Sequence, residues 1–239
     1  MLEDDFVEIE FTGRAQGGEV FDTTDGALAK QAGINLSKPG PVLVIVGSPM
    51  VVPGVTEQLR EMSVGEERTF SVPVDKAFGP RRPMAVKVIS LAKFLEKRIL
   101  PTTGEVLEID GARAKVLSVS GGRVRADFNH PLAGKALSYW VKVVAQVTDP
   151  LEKARKLLDY YGIPCETALA EGKLTAKVKA EVPQLLQRLL AQKLTEHVPG
   201  IKQVEFAVEP AKTEGKAEEK VAPDGKTLEK AAPAGSGNA

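Results

Sequence analysis

The chain has 239 residues, of which 43% are hydrophobic and 27% charged, so it is long enough for one large or two modest domains with a real core. Its 32 basic side chains equal its 32 acidic ones, which gives no electrostatic reason to expect nucleic acid or an anionic membrane as a partner. One cysteine and two histidines exclude an intramolecular disulfide, a cysteine-based zinc site and a histidine-rich metal site.

The first residues, MLEDDFVEIEF, are acidic and strand-like, with no basic segment followed by an apolar run. We therefore expect no signal peptide. No apolar stretch approaches the length of a membrane span. The prediction is a cytoplasmic protein without a membrane segment.

Hydrophobic periodicity predicts strands and one short helix in the first 74 residues. Residues 6–11, FVEIEF, alternate apolar and acidic side chains, the pattern of a half-buried strand. The glycines of TGRAQGGEVFD predict a hairpin, and residues 22–41 form a polar excursion with room for a short helix. Residues 42–47, VLVIVG, predict a buried strand, residues 53–62 a short helix that starts at a proline, and residues 63–74 a turn and another strand.

The next segment is predicted to form a small all-β unit of its own, residues 84–128. Three short strands lie in EVLEIDGARAKVLSVSGGRVRADF, separated by DG and GG, which are both hairpin signals. Residues 136–147, ALSYWVKVVAQV, predict one more long strand. The expected class is α+β, a mostly antiparallel sheet interrupted by a second β unit.

After Asp149 and Pro150 the apolar period becomes helical and ends at Gly162, where a C-cap glycine belongs. A strand, a second amphipathic helix at residues 183–194 and a final strand complete an α/β module, residues 150–208. A module of roughly 60 residues is near the lower limit for independent folding, so it needs a partner surface. Both self-association and packing on the chain's own domain fit this pattern. Residues 209–239 predict a disordered tail.

One short stretch, DFNHPLAGK at residues 127–135, has the composition of an acid/base site. A general base needs an orienting group and a nucleophile within reach, and neighbours this close in sequence rarely converge. Asn129 suits a turn, and Pro131 biases His130 toward extended backbone. We therefore favour a turn that redirects the chain over a catalytic histidine.

No phosphate-binding loop and no nucleophile elbow occurs in the sequence. One apolar set does fall on the inward faces of the predicted strands and helix, and periodicity alone does not separate a core from a pocket. Its members are Phe11, Phe21, Val42, Val52, Val55, Phe78 and Tyr139.

Two long segments resemble one known family. VEIEFTGRAQGGEVFDTT resembles the opening V-x-V-x-Y-T-G-x-x-x-x-G-x-V-F-D-S/T of the FK506-binding-protein (FKBP) family of peptidyl-prolyl cis–trans isomerases, and VIVGSPMVVPGVTEQLREMSVGEERTFSVPVDKAFG resembles the family's centre. The match covers residues 1–80 and resumes at 129–147. GGRVRADFNHPLAGKALSYWVKVV resembles the SlyD-like subgroup, in which a chaperone domain is inserted in the flap (IF) near the active site. The polar excursion and the C-terminal module resemble the longer archaeal members.

The resemblance implies the domain plan. Residues 1–83 and 129–149 would form an isomerase domain, an FKBP-like antiparallel half-barrel wrapped on a short helix. Residues 84–128 would be the inserted flap domain. Residues 129–134 would then be its return joint beside the pocket, with no catalytic role implied for His130.

The resemblance also implies the site residues. Asp22, Phe78 and Tyr139 would be catalytic, with Asp22 the single polar group facing the reacting amide. The Val52 N–H would donate to a substrate carbonyl. The implied substrate-binding residues are Phe11, Phe21, Val42, Met50, Val51, Val52, Val55 and Leu132. Position 78 is Phe where the family usually has Tyr, and position 11 is Phe where Tyr is common; the hydroxyl missing at 78 is expected to affect rate more than binding.

The implied chemistry needs no cofactor and no metal. Rotation about a peptide bond meets a barrier of about 18–20 kcal/mol, and no bond is broken. The implied partners are unfolded or partly folded proteins with X–Pro bonds, and the fold allows FK506-like macrolides. The histidine-rich metal-binding tail of SlyD is absent.

Two other functions stay open at this point. The first is a chaperone or holdase on the same fold with weak or no isomerase activity, which the Phe residues at positions 11 and 78 would permit. The insert has more apolar residues than a tiny β unit obviously needs, which fits either capture of unfolded chains or a core of its own: Val86, Val88, Ile89, Leu91, Phe94 and Leu95. The second is a ribosome- or RNA-associated factor, since the insert superficially resembles the small β-barrels of translation factors. The balanced charge and the lack of interleaved aromatic and basic residues argue against it.

Overall fold

The structure, a computed structural model, describes residues 1–208. The predicted disordered tail, residues 209–239, lies outside the described residues. The helices are α1 (Gly26–Gln31), α2 (Pro53–Glu61), α3 (Leu91–Glu96), α4 (Pro150–Tyr160) and α5 (Gln184–His197), with 3₁₀ turns at Val74–Lys76 and Pro83–Ala85. The strands are β1 (Phe6–Ala15), β2 (Val20–Thr23), β3 (Val42–Ile45), β4 (Glu67–Val72), β5 (Val86–Ser90), β6 (Val106–Ile109), β7 (Ala112–Ser120), β8 (Arg123–Asp127), β9 (Leu137–Val147), β10 (Cys165–Ala170), β11 (Lys173–Val178) and β12 (Gln203–Val208).

The first sheet is antiparallel and runs in the order β2-β1-β9-β4, with β3 paired to the first half of β1. Both faces of β1 are buried at its start, because Phe6 points into one core and Val7 and Ile9 into another. Helix α2 packs on the second of these cores. Its Gly54 lies so close to β4 that an added Cβ would be 2.5 Å from Cγ1 of Val72. The helix therefore lies directly on the sheet, as the half-barrel prediction requires.

The inserted unit is a separate antiparallel sheet in the order β5-β8-β7-β6. Its own small core contains Phe94 of α3 together with alternate residues of β7 and β8. The three predicted strands are β6, β7 and β8. The sequence analysis had no prediction for β5 or for α3, so the unit has four strands and a six-residue helix rather than strands alone.

The C-terminal module has a three-stranded sheet, β10-β11-β12, with α4 and α5 packed on it. Strands β11 and β12 are parallel and are connected through α5, while β10, which was not predicted, pairs antiparallel with β11. Helix α4 ends as predicted, because Gly162 after its last turn has a φ of +74°. Such a φ favours glycine, which has no Cβ to clash.

The module shares one hydrophobic core with the first sheet. Leu157 and Leu158 of α4 belong to the same buried cluster as Phe6, Ile45 and Val147 of the first sheet. At the edge of this contact, Lys156 Nζ lies 2.7 Å from a carboxylate oxygen of Glu8. The apolar face of α4 therefore packs on the chain's own domain, one of the two arrangements that the sequence left open. No helix within residues 1–208 is both long and apolar enough to span a membrane.

Candidate active site

A cavity of about 1200 Å³ opens between the concave face of the first sheet, α2 and the segment that returns from the insert. Every residue predicted for the site lines this one cavity: Phe11, Phe21, Asp22, Val42, Met50, Val51, Val52, Val55, Phe78, Leu132 and Tyr139. They come from β1, β2, β3, α2, β9 and three connecting segments. The structure thus brings the whole set together, and the role of each member stays a prediction.

Tyr139 of β9 is the centre of the aromatic wall. Its ring centroid lies 5.8 Å from that of Phe21 in an edge-to-face arrangement, 6.3 Å from that of Phe11, and 6.2 Å from that of Phe70. Such offset and edge-on pairs are favourable because the ring edges are positive and the faces negative. The side chain is 7% exposed, so three neighbouring rings fix one orientation of it. Phe70 was not among the predicted residues.

Gly13 allows Phe21 to reach this wall. It lies on β1 opposite Asp22 of β2, and a Cβ added to it would be 2.6 Å from Cζ of Phe21. Since real Cβ atoms do not approach a carbon that closely, the ring can occupy this position only where residue 13 is glycine. The sequence analysis assigned Gly13 to the hairpin turn, but it lies within β1 and shapes the cavity instead.

A network of threonines fixes β2 and the chain after it on β1. The Thr12 and Thr23 hydroxyl oxygens are 2.9 Å apart, and both residues are buried. The Phe11 N–H donates to the Thr24 hydroxyl oxygen at 2.9 Å, and the Thr24 N–H donates to the Phe11 carbonyl at 3.0 Å. These bonds hold Phe11 and Asp22 at the cavity. The spacing of the threonines in the sequence did not predict these hydrogen bonds.

The floor of the cavity is the start of α2. Val55 is buried under it, and Pro53 occupies the first turn, where a missing N–H costs nothing. Val52 is the N-cap residue, and its carbonyl accepts from the Val55 N–H at 2.9 Å. Among the hydrogen bonds of residues 1–208, none uses the Val52 N–H as donor. This donor is therefore available to a bound molecule.

Asp22 and Tyr139 form the polar part of the site. Burial raises the pKa of the Asp22 carboxyl group, although a hydrogen bond from the Thr23 backbone opposes the shift. Burial and, secondarily, the charge of Asp22 raise the pKa of Tyr139 to about 12. At neutral pH the tyrosine keeps its proton, so it can only donate or accept a hydrogen bond.

His130 packs against the cavity rim rather than in a catalytic arrangement. Its ring stacks on Phe78 with centroids 4.1 Å apart and planes 8° from parallel. Its Nδ1 accepts from the Leu132 N–H at 3.2 Å, a bond within the turn itself. The neighbouring Asp127 carboxylate is engaged by Arg81 and by Asn129 instead. His130 therefore shapes the rim, which agrees with the structural role favoured from the sequence.

Asn129 joins the two chain segments that lead into and out of the insert. Its side-chain oxygen accepts from the Arg82 N–H at 2.8 Å, and its amide nitrogen donates to the Arg82 carbonyl at 3.1 Å. Beside it, the Gly134 N–H donates to the Gly79 carbonyl at 2.8 Å. The hydrogen bond between Gly134 and Gly79 places the return segment next to Phe78, which explains the stacking of His130 on that ring.

The predicted residues that line the cavity offer contacts for binding. No group of three or more His, Cys, Asp or Glu side chains within residues 1–208 could hold a metal ion. The predicted site residues supply aromatic and aliphatic walls, together with the Asp22 carboxylate, the Tyr139 phenol and the Val52 N–H. Such a site can bind an apolar group and orient a carbonyl.

Comparison with known proteins decides the family. A model described as FKBP-type peptidyl-prolyl cis-trans isomerase matches residues 2–95, and one described as FKBP26, IF domain, matches residues 87–132. The short-type peptidyl-prolyl cis-trans isomerase of Methanocaldococcus jannaschii is 32% identical over 141 residues, 58% of this chain and 89% of that protein. The chain belongs to the FKBP-type peptidyl-prolyl cis–trans isomerases. The resemblance inferred from the sequence is confirmed, for the isomerase domain and for the insert in its flap.

Two further relatives and one solved structure match this FKBP-type chain with lower identity. The FKBP-type 16 kDa isomerase of Escherichia coli strain K12 is 28% identical over 109 residues, covering 44% of this chain and 72% of the relative. The SlyD isomerase of Treponema pallidum is 28% identical over 149 residues, 60% of this chain and 77% of that protein. A solved peptidyl-prolyl cis-trans isomerase from Pseudomonas syringae pv. tomato matches with 15% identity and a TM-score of 0.31, covering 61% of this chain and 64% of that one.

Proposed function

We propose that this protein accelerates the cis–trans isomerisation of X–Pro bonds in folding polypeptides by binding the twisted amide in the aromatic cavity. The observation that carries the proposal is the convergence of all eleven predicted residues, from five elements and three connecting segments, on one cavity. Uncatalysed X–Pro isomerisation takes tens to hundreds of seconds, slow enough to limit folding.

Preferential binding of the transition state accounts for the rate. The planar amide is strongly polar because of resonance, and twisting the bond removes that resonance. An apolar wall such as that of Phe11, Phe21 and Tyr139 therefore destabilises the planar form more than the twisted one. Each 1.36 kcal/mol of this difference is about tenfold in rate.

Each polar group of the site has a separate task in the proposed mechanism. The Val52 N–H holds the substrate by a carbonyl, which fixes the proline ring over Val55. Asp22 faces the carbonyl of the rotating bond, where its charge favours the orientation of the twisted amide over that of the planar one. Since no proton is transferred, Tyr139 contributes its ring and its uncharged hydroxyl.

We propose a chaperone activity for the inserted unit. Five of its large apolar side chains are exposed: Met84, Val88, Leu95, Leu100 and Val106. Of the apolar residues noted in the sequence, Phe94 is taken up by the unit's own core, whereas Val88 and Leu95 are not. Exposed apolar side chains on a small unit suit transient binding of unfolded polypeptides, which present the same kind of surface.

The partners proposed are therefore unfolded or partly folded proteins with X–Pro bonds. FK506-like macrolides are a second ligand class, which inhibition of the isomerase would reveal. Self-association through residues 150–208 is also proposed, because Leu185 and Leu189 are exposed one turn apart on α5. The oligomeric state in solution tests that point.

The experiment that tests the isomerase proposal is NMR exchange spectroscopy on an Ala–Pro–Phe peptide. Wild type, Asp22→Ala and a variant in which a short loop replaces residues 84–128 are compared. We expect wild type to accelerate exchange, Asp22→Ala to lose most of the acceleration, and the loop variant to retain it on the peptide. Refolding of a proline-limited protein should, in contrast, be slower with the loop variant than with wild type.

Either half of the proposal can fail separately. No acceleration by wild type at high enzyme concentration would contradict the isomerase proposal and leave a holdase on an FKBP fold. Equal performance of wild type and the loop variant on the refolding protein would contradict the role given to the insert.

A further inference from the structure

The active-site cavity extends to the C-terminal module. Tyr160, in the last turn of α4, and Leu36, in the connection between α1 and β3, line the same cavity as Asp22 and Tyr139. Neither residue belongs to the set predicted for proline binding. Two chain segments outside the aromatic wall therefore contribute to the space in which a substrate would lie.

Met50 connects the two ends of the cavity. It lies on the loop before α2, lines the cavity, and packs against the core that the first sheet shares with the C-terminal module. Tyr160 is thus fixed relative to the proline pocket through buried contacts of α4, whose Leu157 and Leu158 are fully buried in that core. Lys38 Nζ, 3.9 Å from Asp159 Oδ2, adds a weak link between the Leu36 segment and the end of α4.

Tyr160 is placed to contact a ligand. Its ring is 48% exposed, and its one aromatic neighbour within the described residues is Tyr161, with centroids 5.2 Å apart and an interplanar angle of 82°. The faces of α4 that pack inside the protein are those of Ala154, Leu157 and Leu158, so Tyr160 is not required by the core. A half-exposed aromatic ring at a cavity is a rigid apolar surface that orders at small entropic cost.

The size of the cavity supports an additional subsite. About 1200 Å³ exceeds the range of roughly 300–1,000 Å³ typical of sites for drug-sized ligands, and a proline with its neighbouring residue fills less than that. An extended polypeptide advances about 3.3–3.6 Å per residue. Residues flanking the X–Pro bond can therefore reach the end of the cavity while the proline occupies its centre.

We propose that Tyr160, Leu36 and Met50 form a subsite for an apolar side chain of the substrate polypeptide, a few residues from the X–Pro bond. The C-terminal module then takes part in choosing which prolines are isomerised. This inference rests on the proposed isomerase function, whose pocket lies in the same cavity.

The test compares a short and a long substrate. The short one is the Ala–Pro–Phe peptide, and the long ones are peptides of about twelve residues with one central proline and one leucine moved along the sequence. The variants are Tyr160→Ala, Tyr160→Phe and Leu36→Ala. Val208→Ala is the matched control, since Val208 is exposed in the same module but does not line the cavity.

For the long peptide with the best-placed leucine, we expect Tyr160→Ala to lower kcat/KM on the order of five- to tenfold, mainly through KM. Leu36→Ala should act in the same direction, Tyr160→Phe should retain wild-type behaviour, and Val208→Ala should change nothing. On the short peptide every variant should stay within about twofold of wild type, because that substrate does not reach the subsite. Thermal melts confirm that each variant is folded.

Three results would be decisive against the subsite or the isomerase. If Tyr160→Ala changes both substrates equally, or changes neither, the subsite is contradicted while the isomerase function stands. If wild type accelerates neither substrate but its affinity for the long peptide, measured by titration, still falls in Tyr160→Ala, the subsite stands and the isomerase function fails. If wild type neither catalyses nor binds the long peptide, both are overturned.

Discussion

At Asp22, the negative charge that the proposed activity needs lowers the stability of the folded protein. Asp22 is exposed on its strand, yet partial burial at the cavity raises its pKa, so in the folded protein its charged form is less stable than in the unfolded chain, by an amount that solvent screening keeps small. A group with a raised folded pKa contributes stability at low pH and loses that contribution as the pH rises through the folded pKa. The charge proposed to act on the amide is therefore kept at a cost to the fold, a common property of functional sites.

A pH profile of Asp22→Asn tests this competition. We expect kcat/KM of wild type to fall on acidification, with a midpoint above the ordinary value of 3.8, because protonation removes the charge. Asp22→Asn should be slow and should lack this step. At neutral pH its thermal midpoint should equal or exceed that of wild type. Glu181→Gln, which changes an exposed carboxylate in the C-terminal module, should leave both the profile and the midpoint unchanged.

Gly13→Ala tests the shape of the aromatic wall. The new methyl group would overlap the Phe21 ring, which must move away from Tyr139, and overpacking of this kind costs about 1–3 kcal/mol. We expect urea unfolding to show that loss, together with reduced peptide affinity. Phe21→Leu in the Gly13→Ala background should recover part of the stability, since it removes the atoms that clash. Additive effects of the two changes would show that the ring does not respond to residue 13.

The site residues divide into those that sequence could predict and those that it could not. Phe11, Phe21 and Tyr139 occur at strand periodicity inside motifs that resemble the family, so both pattern and resemblance favoured them. Tyr160 and Leu36 occur in segments without a specific motif, and they reach the cavity only through tertiary packing. Periodicity shows which face of an element is buried, but it does not show which other element completes a cavity.

At the scale of elements, segments with a clear apolar pattern or turn signal were predictable, and segments without one were not. Strand β9 alternates over most of its eleven residues and the first half of β1 alternates apolar and acidic side chains, so both were predicted as strands. Helix α3 has six residues and one buried side chain, Phe94, so no helical period repeats in it. Strand β10, CETALA, alternates mainly with small side chains, which weakens the apolar signal.

The joint between the first sheet and the insert is predicted to depend on Asn129. Asn129→Ala removes both hydrogen bonds to the Arg82 backbone and one to the Asp127 carboxylate. We expect a loss of about 1–3 kcal/mol and faster hydrogen exchange of the Arg82 amide. Asn35→Ala, at an exposed position in the connection before β3, should show neither effect. An unchanged Arg82 exchange rate would mean that other contacts, such as the Arg81–Asp127 ion pair and the Gly134–Gly79 hydrogen bond, hold the joint without Asn129.

At the scale of the whole molecule, the shared core predicts that the C-terminal module and the first sheet unfold together. Leu157 is fully buried in that core, and Leu→Ala at such positions costs about 2–5 kcal/mol. Trp140, the single tryptophan, lies on β9 and reports on the first sheet. We expect Leu157→Ala to lower the midpoint of the Trp140 fluorescence transition, although residue 157 lies in another module.

Val116→Ala is the control for this coupling. Val116 is equally buried, but in the separate core of the insert, so its loss should lower the Trp140 midpoint much less. Leu157→Ala could instead leave the Trp140 transition unchanged while the helical circular dichroism signal is lost at a lower temperature. That result would contradict the prediction that the C-terminal module and the first sheet unfold together.

The position of β9 has a consequence for the order in which a newly made chain folds. This strand pairs with both β1 and β4, yet it leaves the ribosome only after the whole insert. The insert needs no later residue, because β7 and β8 pair across the Gly121–Gly122 turn and β5 pairs with β8. Once the insert folds, Val86 lies opposite Asp127. This pairing shortens the loop between β4 and β9 and lowers the entropic cost of closing that loop by on the order of 1 kcal/mol. An isomerase built this way folds the unit proposed to bind clients before its cavity exists.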